Sequence, residues 1–164
     1  MRDILLMGGG AVLAAFAFGL VPESGVVPVR QPVALLRVEA LDFDAGILSG
    51  ARPTRTTNEQ PGHAVVRWDF TPEMTPGSSA DCAATLDARG NDRTKVAVDC
   101  RFAGGDGRPS LDARWADLLR LQMQENVDAA IAMRDFDHGR AGADITNFVA
   151  RNGGGIVRET GIAK

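Results

Sequence analysis

The sequence predicts an α+β fold in which strands come first and helices follow. Three observations carry that expectation. Residues 80–102 mirror themselves about Asn91. Residues 63–70 alternate between two faces. Beyond Ser110 the apolar period changes from two to that of a helix. The expected β part is a small antiparallel β-sandwich or curved sheet holding a disulfide-bonded hairpin.

The first 21 residues stand apart from that fold. Met1-Arg2-Asp3 precedes an apolar run, Ile4–Val21, ended by Pro22-Glu23-Ser24-Gly25. Two readings stay open. As a signal peptide, the run has Ala15-Phe16-Ala17 as a small-x-small cleavage site. As a retained signal-anchor, about 18 residues at 1.5 Å each span roughly 27 Å, enough for a bilayer. Phe16, Phe18, Leu20 and Val21 carry the apolar stretch past the cleavage site and favour the anchor. Gly10/Ala14 and Ala11/Ala15 are small-xxx-small pairs of the kind that let membrane helices approach. A short N-terminus favours the orientation with the remainder outside the cytoplasm.

Residues 22–32, with Pro22, Pro28 and Pro32, are expected to form an extended stalk. The segment 33–104 is expected to be the β domain. Pro32–Phe43 is strand-like, although Leu35 and Leu36 are adjacent and break the alternation. Ala45–Gly62 has no period and is expected to be a loop. Next comes the clearest single strand, with His63, Val65, Arg67 and Asp69 on one face and Ala64, Val66, Trp68 and Phe70 on the other. Thr71–Ser79 makes a second loop.

Folding Ala80–Phe102 back on itself at Asn91 sets Cys82 opposite Cys100, Ala84 opposite Val98, Leu86 opposite Val96 and Ala88 opposite Thr94. Gly90-Asn91-Asp92 supplies turn residues between two strands in register. A bond between the only two cysteines requires an oxidising compartment. It closes a loop of roughly 19 residues, worth about 3 kcal/mol by chain entropy.

After Ala103–Pro109, the C-terminal region 110–164 is expected to be helical. Ser110 is the candidate N-cap. Leu111, Trp115, Leu118, Leu119, Met123, Val127, Ala130 and Ile131 form a broad apolar stripe to about Met133. Arg134–Gly142 breaks the helix, and Ala143–Arg151 is expected to be a short second one.

The 18 basic and 21 acidic residues are interspersed and give a net charge of −3. That balance supplies no basic face, so no nucleic-acid partner is expected. The glycine-rich pieces lack the phosphate-loop lysine and the dinucleotide fingerprint, no serine sits in a nucleophile elbow, and no cofactor is expected. The one cluster with ligand-type side chains is Asp135, Asp137 and His138, and its spacing matches neither a zinc pattern nor an EF-hand. His63 begins a strand on its polar face. Asp42 and Asp44 flank Phe43 at a strand end.

These residues favour an exported, non-enzymatic binding or assembly module tethered to a bacterial inner membrane by Ile4–Val21. Its folded part is expected in the periplasm, as an accessory subunit of an envelope complex. The expected interaction surface is Trp115, Leu118, Leu121 and Met123, rimmed by Asp117, Arg120 and Glu125. The alternatives are a periplasmic hydrolytic enzyme using the Asp135/Asp137/His138 cluster, and a secreted soluble ligand-binding domain.

Overall fold

The computed structural model of the chain describes residues 25–71, 74, 76–105 and 108–160. In chain order these form β1 (Val26–Val27), α1 (Gln31–Glu39), a 3₁₀ turn (Gly46–Leu48), β2 (Thr54–Gln60), β3 (His63–Asp69), β4 (Ser79–Arg89), β5 (Arg93–Ala103), α2 (Pro109–Ala132) and α3 (His138–Thr160). The run Ile4–Val21, expected as an anchor, lies outside the described residues. Among the described residues no helix is long and apolar enough to cross a membrane.

The expected hairpin is present in the expected register. Cys82 faces Cys100, Ala84 faces Val98, Leu86 faces Val96 and Ala88 faces Thr94. Cys82 and Cys100 are bonded, with Cα atoms 4.1 Å apart. The disulfide lies on the buried face of the sheet rather than toward solvent. Strand β3 adds to β4, also antiparallel, and places Trp68 opposite Cys82. The alternation in β3 holds: Ala64, Val66 and Trp68 are buried, and Arg67 and Asp69 are exposed.

All five strands form one antiparallel sheet in the order β1-β5-β4-β3-β2. One sheet backed by a helix layer thus stands where a sandwich or curved sheet was expected. The buried face of the sheet meets Ala34, Leu35 and Val38 of α1 and Leu119, Met123, Val127 and Ile131 of α2 in a single apolar core. The same core spans the segments expected to be separate β and helical regions. Small residues on β4, Ala80, Cys82 and Ala84, leave room for helices to lie close. Trp68 and Phe70 fill the β3 end, with Phe43 set edge-on against both at ring distances of 6.2 and 5.4 Å.

Three further expectations need correction. The run expected as a strand from Pro32 is helix α1. Ala34, Leu35 and Val38 recur at helical spacing, and Pro32 sits in the first turn, where its missing N–H costs nothing. The broken alternation at Leu35-Leu36 was the mark of that helix, and Leu36 faces water. The expected loop Ala45–Gly62 contains the 3₁₀ turn and strand β2. All seven residues of β2 are exposed, so no burial imposes an apolar period. Pairing with β3 and a Pro61-Gly62 turn, with Gly62 at φ +74°, hold it instead. The second helix is longer than expected. It begins at His138, where Asp137 Oδ1 accepts the Arg140 N–H at 2.9 Å as an N-cap.

Part of the expected stalk also joins the sheet. Val26 and Val27 pair with β5, the Val96 N–H donates to Gly25 O at 2.7 Å, and Thr94 Oγ1 donates to Val29 O at 2.6 Å.

Opening the disulfide should lower unfolding free energy by about 3 kcal/mol, the chain-entropy value for a loop of this length. Urea titrations of oxidised protein and of the paired variant Cys82→Ala/Cys100→Ala measure the difference. Free thiols titrating in unfolded, non-reduced protein would reject the bond.

Candidate functional site

The described residues form a cleft of about 690 Å³ between the end of α1, the segment 41–45, the second half of α2 and the turn into α3. Each wall has a physical cause. The Phe43 ring is held by Trp68 and Phe70, which leaves Asp42 and Asp44 on either side of it, exposed, at the cleft. The following turn is tied down by Gly50 N–H donating to Phe43 O at 2.7 Å and Ile47 N–H donating to Gln122 Oε1 at 3.2 Å. Gly46, at φ +72°, lets the chain pass between Gln122 and Phe136. A Cβ there would meet Gln122 Oε1 at 2.5 Å and Phe136 Cζ at 3.0 Å.

The opposite wall is the C-terminal half of α2, which contributes Asn126, Ala129 and Ala130. The helix stops at Met133, in the left-handed region at φ 53°. Arg134 N–H donates to Ala129 O and Met133 N–H to Ala130 O, a Schellman closure made without glycine. The Arg37 guanidinium donates to Ile131 O and ties α1 to the end of α2.

Glu125 organises the turn between α2 and α3. Its side chain is 4% exposed and accepts from Arg134 Nη1 at 2.5 Å and from the Asp137 N–H at 3.0 Å, with Arg140 Nη1 at 3.5 Å. Burial works to raise the Glu125 pKa. The Arg134 hydrogen bond, the Asp137 N–H and the two guanidinium charges outweigh it and hold the carboxyl below its ordinary value. Its neighbour Asp128 shows the reverse balance. Burial lifts its pKa above the ordinary value despite a 2.9 Å hydrogen bond from Gln124 and the nearby Arg140.

The sequence-predicted residues divide accordingly. Asp135 and His138 line the cleft. Asp137 does not join them, because its carboxylate caps α3, and that hydrogen bonding holds its pKa down. Among the described residues no three His, Cys, Asp or Glu side chains form a metal-binding group. His63 is spent on the outer face of the sheet, with Nδ1 2.6 Å from Asp87 Oδ1 across the β3–β4 register.

Of the expected interaction surface, Trp115 is 44% exposed, with its ring 6.3 Å from that of Phe102. Leu118 and Leu121 are half-buried, and Leu121 faces α3 beside Asp144 and Phe148. Met123 is fully buried and belongs to the core, because it points at the sheet with Leu119 and Val127. Glu125, expected at a surface rim, is buried as well. Asp117 and Arg120 lie 3.8 Å apart on the exposed side of α2.

Gln122 is the residue that sequence reading missed, and Glu125 is the one it placed at a surface rim instead of inside. Their signal was spacing: Gln122, Glu125, Asn126 and Ala129 lie on one helix face, and Arg134 follows just past the helix end. Polar side chains on a helix face carry no apolar period to mark it as buried. Chemically, Arg134 and Arg37 are committed to protein acceptors. What the cleft presents to a ligand is therefore carboxylate-rich: Asp42, Asp44 and Asp135, with the His138 imidazole.

No family model matches the chain, and neither a curated protein nor a solved structure matches it.

Glu125→Gln should cost about 1–3 kcal/mol. That is below the figure for a fully buried pair, because Arg134 and Arg140 are partly in water. The native carboxyl has a depressed pKa, so its stabilisation is complete above the ordinary value of 4.5 and is lost as pH falls through the lower folded value. Acid titrations of stability should show that limb flattened in the variant. Gly46→Ala should cost roughly 1–3 kcal/mol from the positive φ and the collision with Gln122. A melting temperature equal to that of the parent would mean the turn is not held as described.

Proposed function

We propose that the chain is an exported binding or assembly module, tethered to a bacterial inner membrane by Ile4–Val21 with its folded part in the periplasm. It would serve as an accessory subunit of an envelope complex. The observation that carries this reading is the Cys82–Cys100 bond, set in the core face of the sheet in a chain that also bears an 18-residue apolar run. A bond in that place supports folding in an oxidising compartment. The contact surface proposed for a protein partner is Trp115 with Leu118 beside it. A partly exposed indole, tilted against the Phe102 ring, is the kind of anchor that carries interface energy.

The cleft favours a second reading, a periplasmic hydrolytic enzyme that retains Asp135 and His138 and releases Asp137 to its capping role. His138→Ala abolishing hydrolysis of a substrate, with the fold intact, would move the conclusion to that reading.

Thiol trapping in intact cells tests the export proposal. Cys82 and Cys100 should be inaccessible to alkylation until reduced, and a reporter fused after Lys164 should be active only in its periplasmic form. Cysteines alkylated without reduction would reject it, and mature protein starting near Phe18 in a soluble fraction would reject the tether. Trp115→Ala should cost less than the roughly 3–5 kcal/mol of a core aromatic, since nearly half of the residue is in water, and should weaken partner retention in mild detergent at least about tenfold.

A further inference from the structure

We infer that β2 is a docking edge through which two copies of this chain join their sheets, antiparallel and two-fold symmetric about Thr57. Strand β2 is an outer strand of the sheet. It is seven residues long, carries no proline, and is exposed on both faces, beyond the reach of the helix layer. The other outer strand, β1, has two residues. Long unprotected edges present a row of unpaired backbone groups, and natural sheets usually blunt them.

The hydrogen-bond phase of the sheet identifies those groups. Phe70 N–H donates to Ala80 O at 2.9 Å and Ala88 N–H donates to Gly62 O at 2.8 Å. Even-numbered positions along β3 therefore bond toward β4 and odd-numbered ones toward β2. The close Cα approach of Cys82 and Cys100, 4.1 Å, fits the same phase, because their backbone groups point away from each other. On β2, Thr54, Thr56, Asn58 and Gln60 pair in phase with the odd positions of β3. The N–H and C=O groups of Arg55, Thr57 and Glu59 point out of the sheet.

Those three residues are evenly spaced about Thr57, the midpoint of the strand. Laid against itself antiparallel, β2 sets Thr57 opposite Thr57 of the second copy and Arg55 opposite Glu59 of the second copy, twice. Thr54 meets Gln60 and Thr56 meets Asn58. Every outward backbone group of one copy then meets one of the other, as the ladder requires. Arg55 and Glu59 have no ion-pair partner among the described residues. Four positions apart on one strand, they are roughly 13 Å from each other and cannot pair within a copy. The strand is thus complementary in charge to a reversed copy of itself and carries no net charge to repel it. The axis stands perpendicular to the sheet, so two five-stranded sheets become one with both helix layers on the same side.

The full-length chain in mild detergent, followed by sedimentation and light scattering, tests this. The parent is expected to be a dimer. Thr57→Pro removes an outward N–H and no bond to β3, so it should give a folded monomer with the parent's circular dichroism spectrum and a melting temperature that no longer depends on protein concentration. Arg55→Glu alone should weaken association about tenfold or more by setting like charges opposite one another. Adding Glu59→Arg should restore it to within about threefold of the parent. If Thr57→Pro fails to fold, loss and rescue by the two charge variants decide alone. A parent that stays monomeric up to about 0.1 mM, a dimer indifferent to Thr57→Pro and Arg55→Glu, or a charge loss that the swap does not rescue would each overturn the proposal.

Discussion

Everything else in the fold is placed by the β4–β5 hairpin. Its two strands are eleven residues each, they occupy the centre of the sheet, and a covalent bond pins their register from the core side. A one-residue slip of one strand against the other would carry either Cys82, Ala84 and Leu86 or Val96 and Val98 to the solvent face. The bond and the apolar pattern thus enforce the same answer. β3 then inherits its face from β4, which fixes Trp68 inside. Trp68 with Phe70 receives Phe43, and Phe43 anchors one wall of the cleft.

The one-sided sheet has two consequences. Its inner face needs a helix layer, which α1 and α2 supply with small β4 residues beneath them. The layer covers β3 to β5 and stops short of β2, which is left hydrogen-bonded on one edge only. The polar strand is therefore the place where a sheet of this width is open to extension. No apolar surface is exposed by leaving it so, which is why the cost to the monomer is small.

At the turn between α2 and α3 the organising group is a charge. Glu125 is buried under the α2–α3 turn and collects two guanidinium groups and a backbone N–H. It turns a helix end without glycine into a defined corner, and it draws Asp137 into the start of α3. That arrangement decides which ionisable groups face the cleft: Asp135 and His138 do, and Asp137 does not. A buried carboxylate with basic partners is also a pH-sensitive joint, since protonation removes the interaction that offsets its burial.

The hairpin, its register, the face of Trp68 and the extent of α2 were all legible in the residues. Each depends on local period and turn chemistry, which a chain carries wherever it is placed. Helix α1 was misread because its burial pattern in nine residues is shared between strand and helix templates until the layer it packs on is known. Strand β2 was invisible for a different reason. A strand exposed on both faces has no apolar pattern, and its only determinant is an edge offered by β3. The roles of Glu125 and Met123 were likewise decided by tertiary structure, because one helix face becomes inside or outside only when the sheet and the returning α3 are in place. Sequence alone determined where the backbone would alternate and where it would turn. The tertiary structure decided which of the resulting faces lost their water.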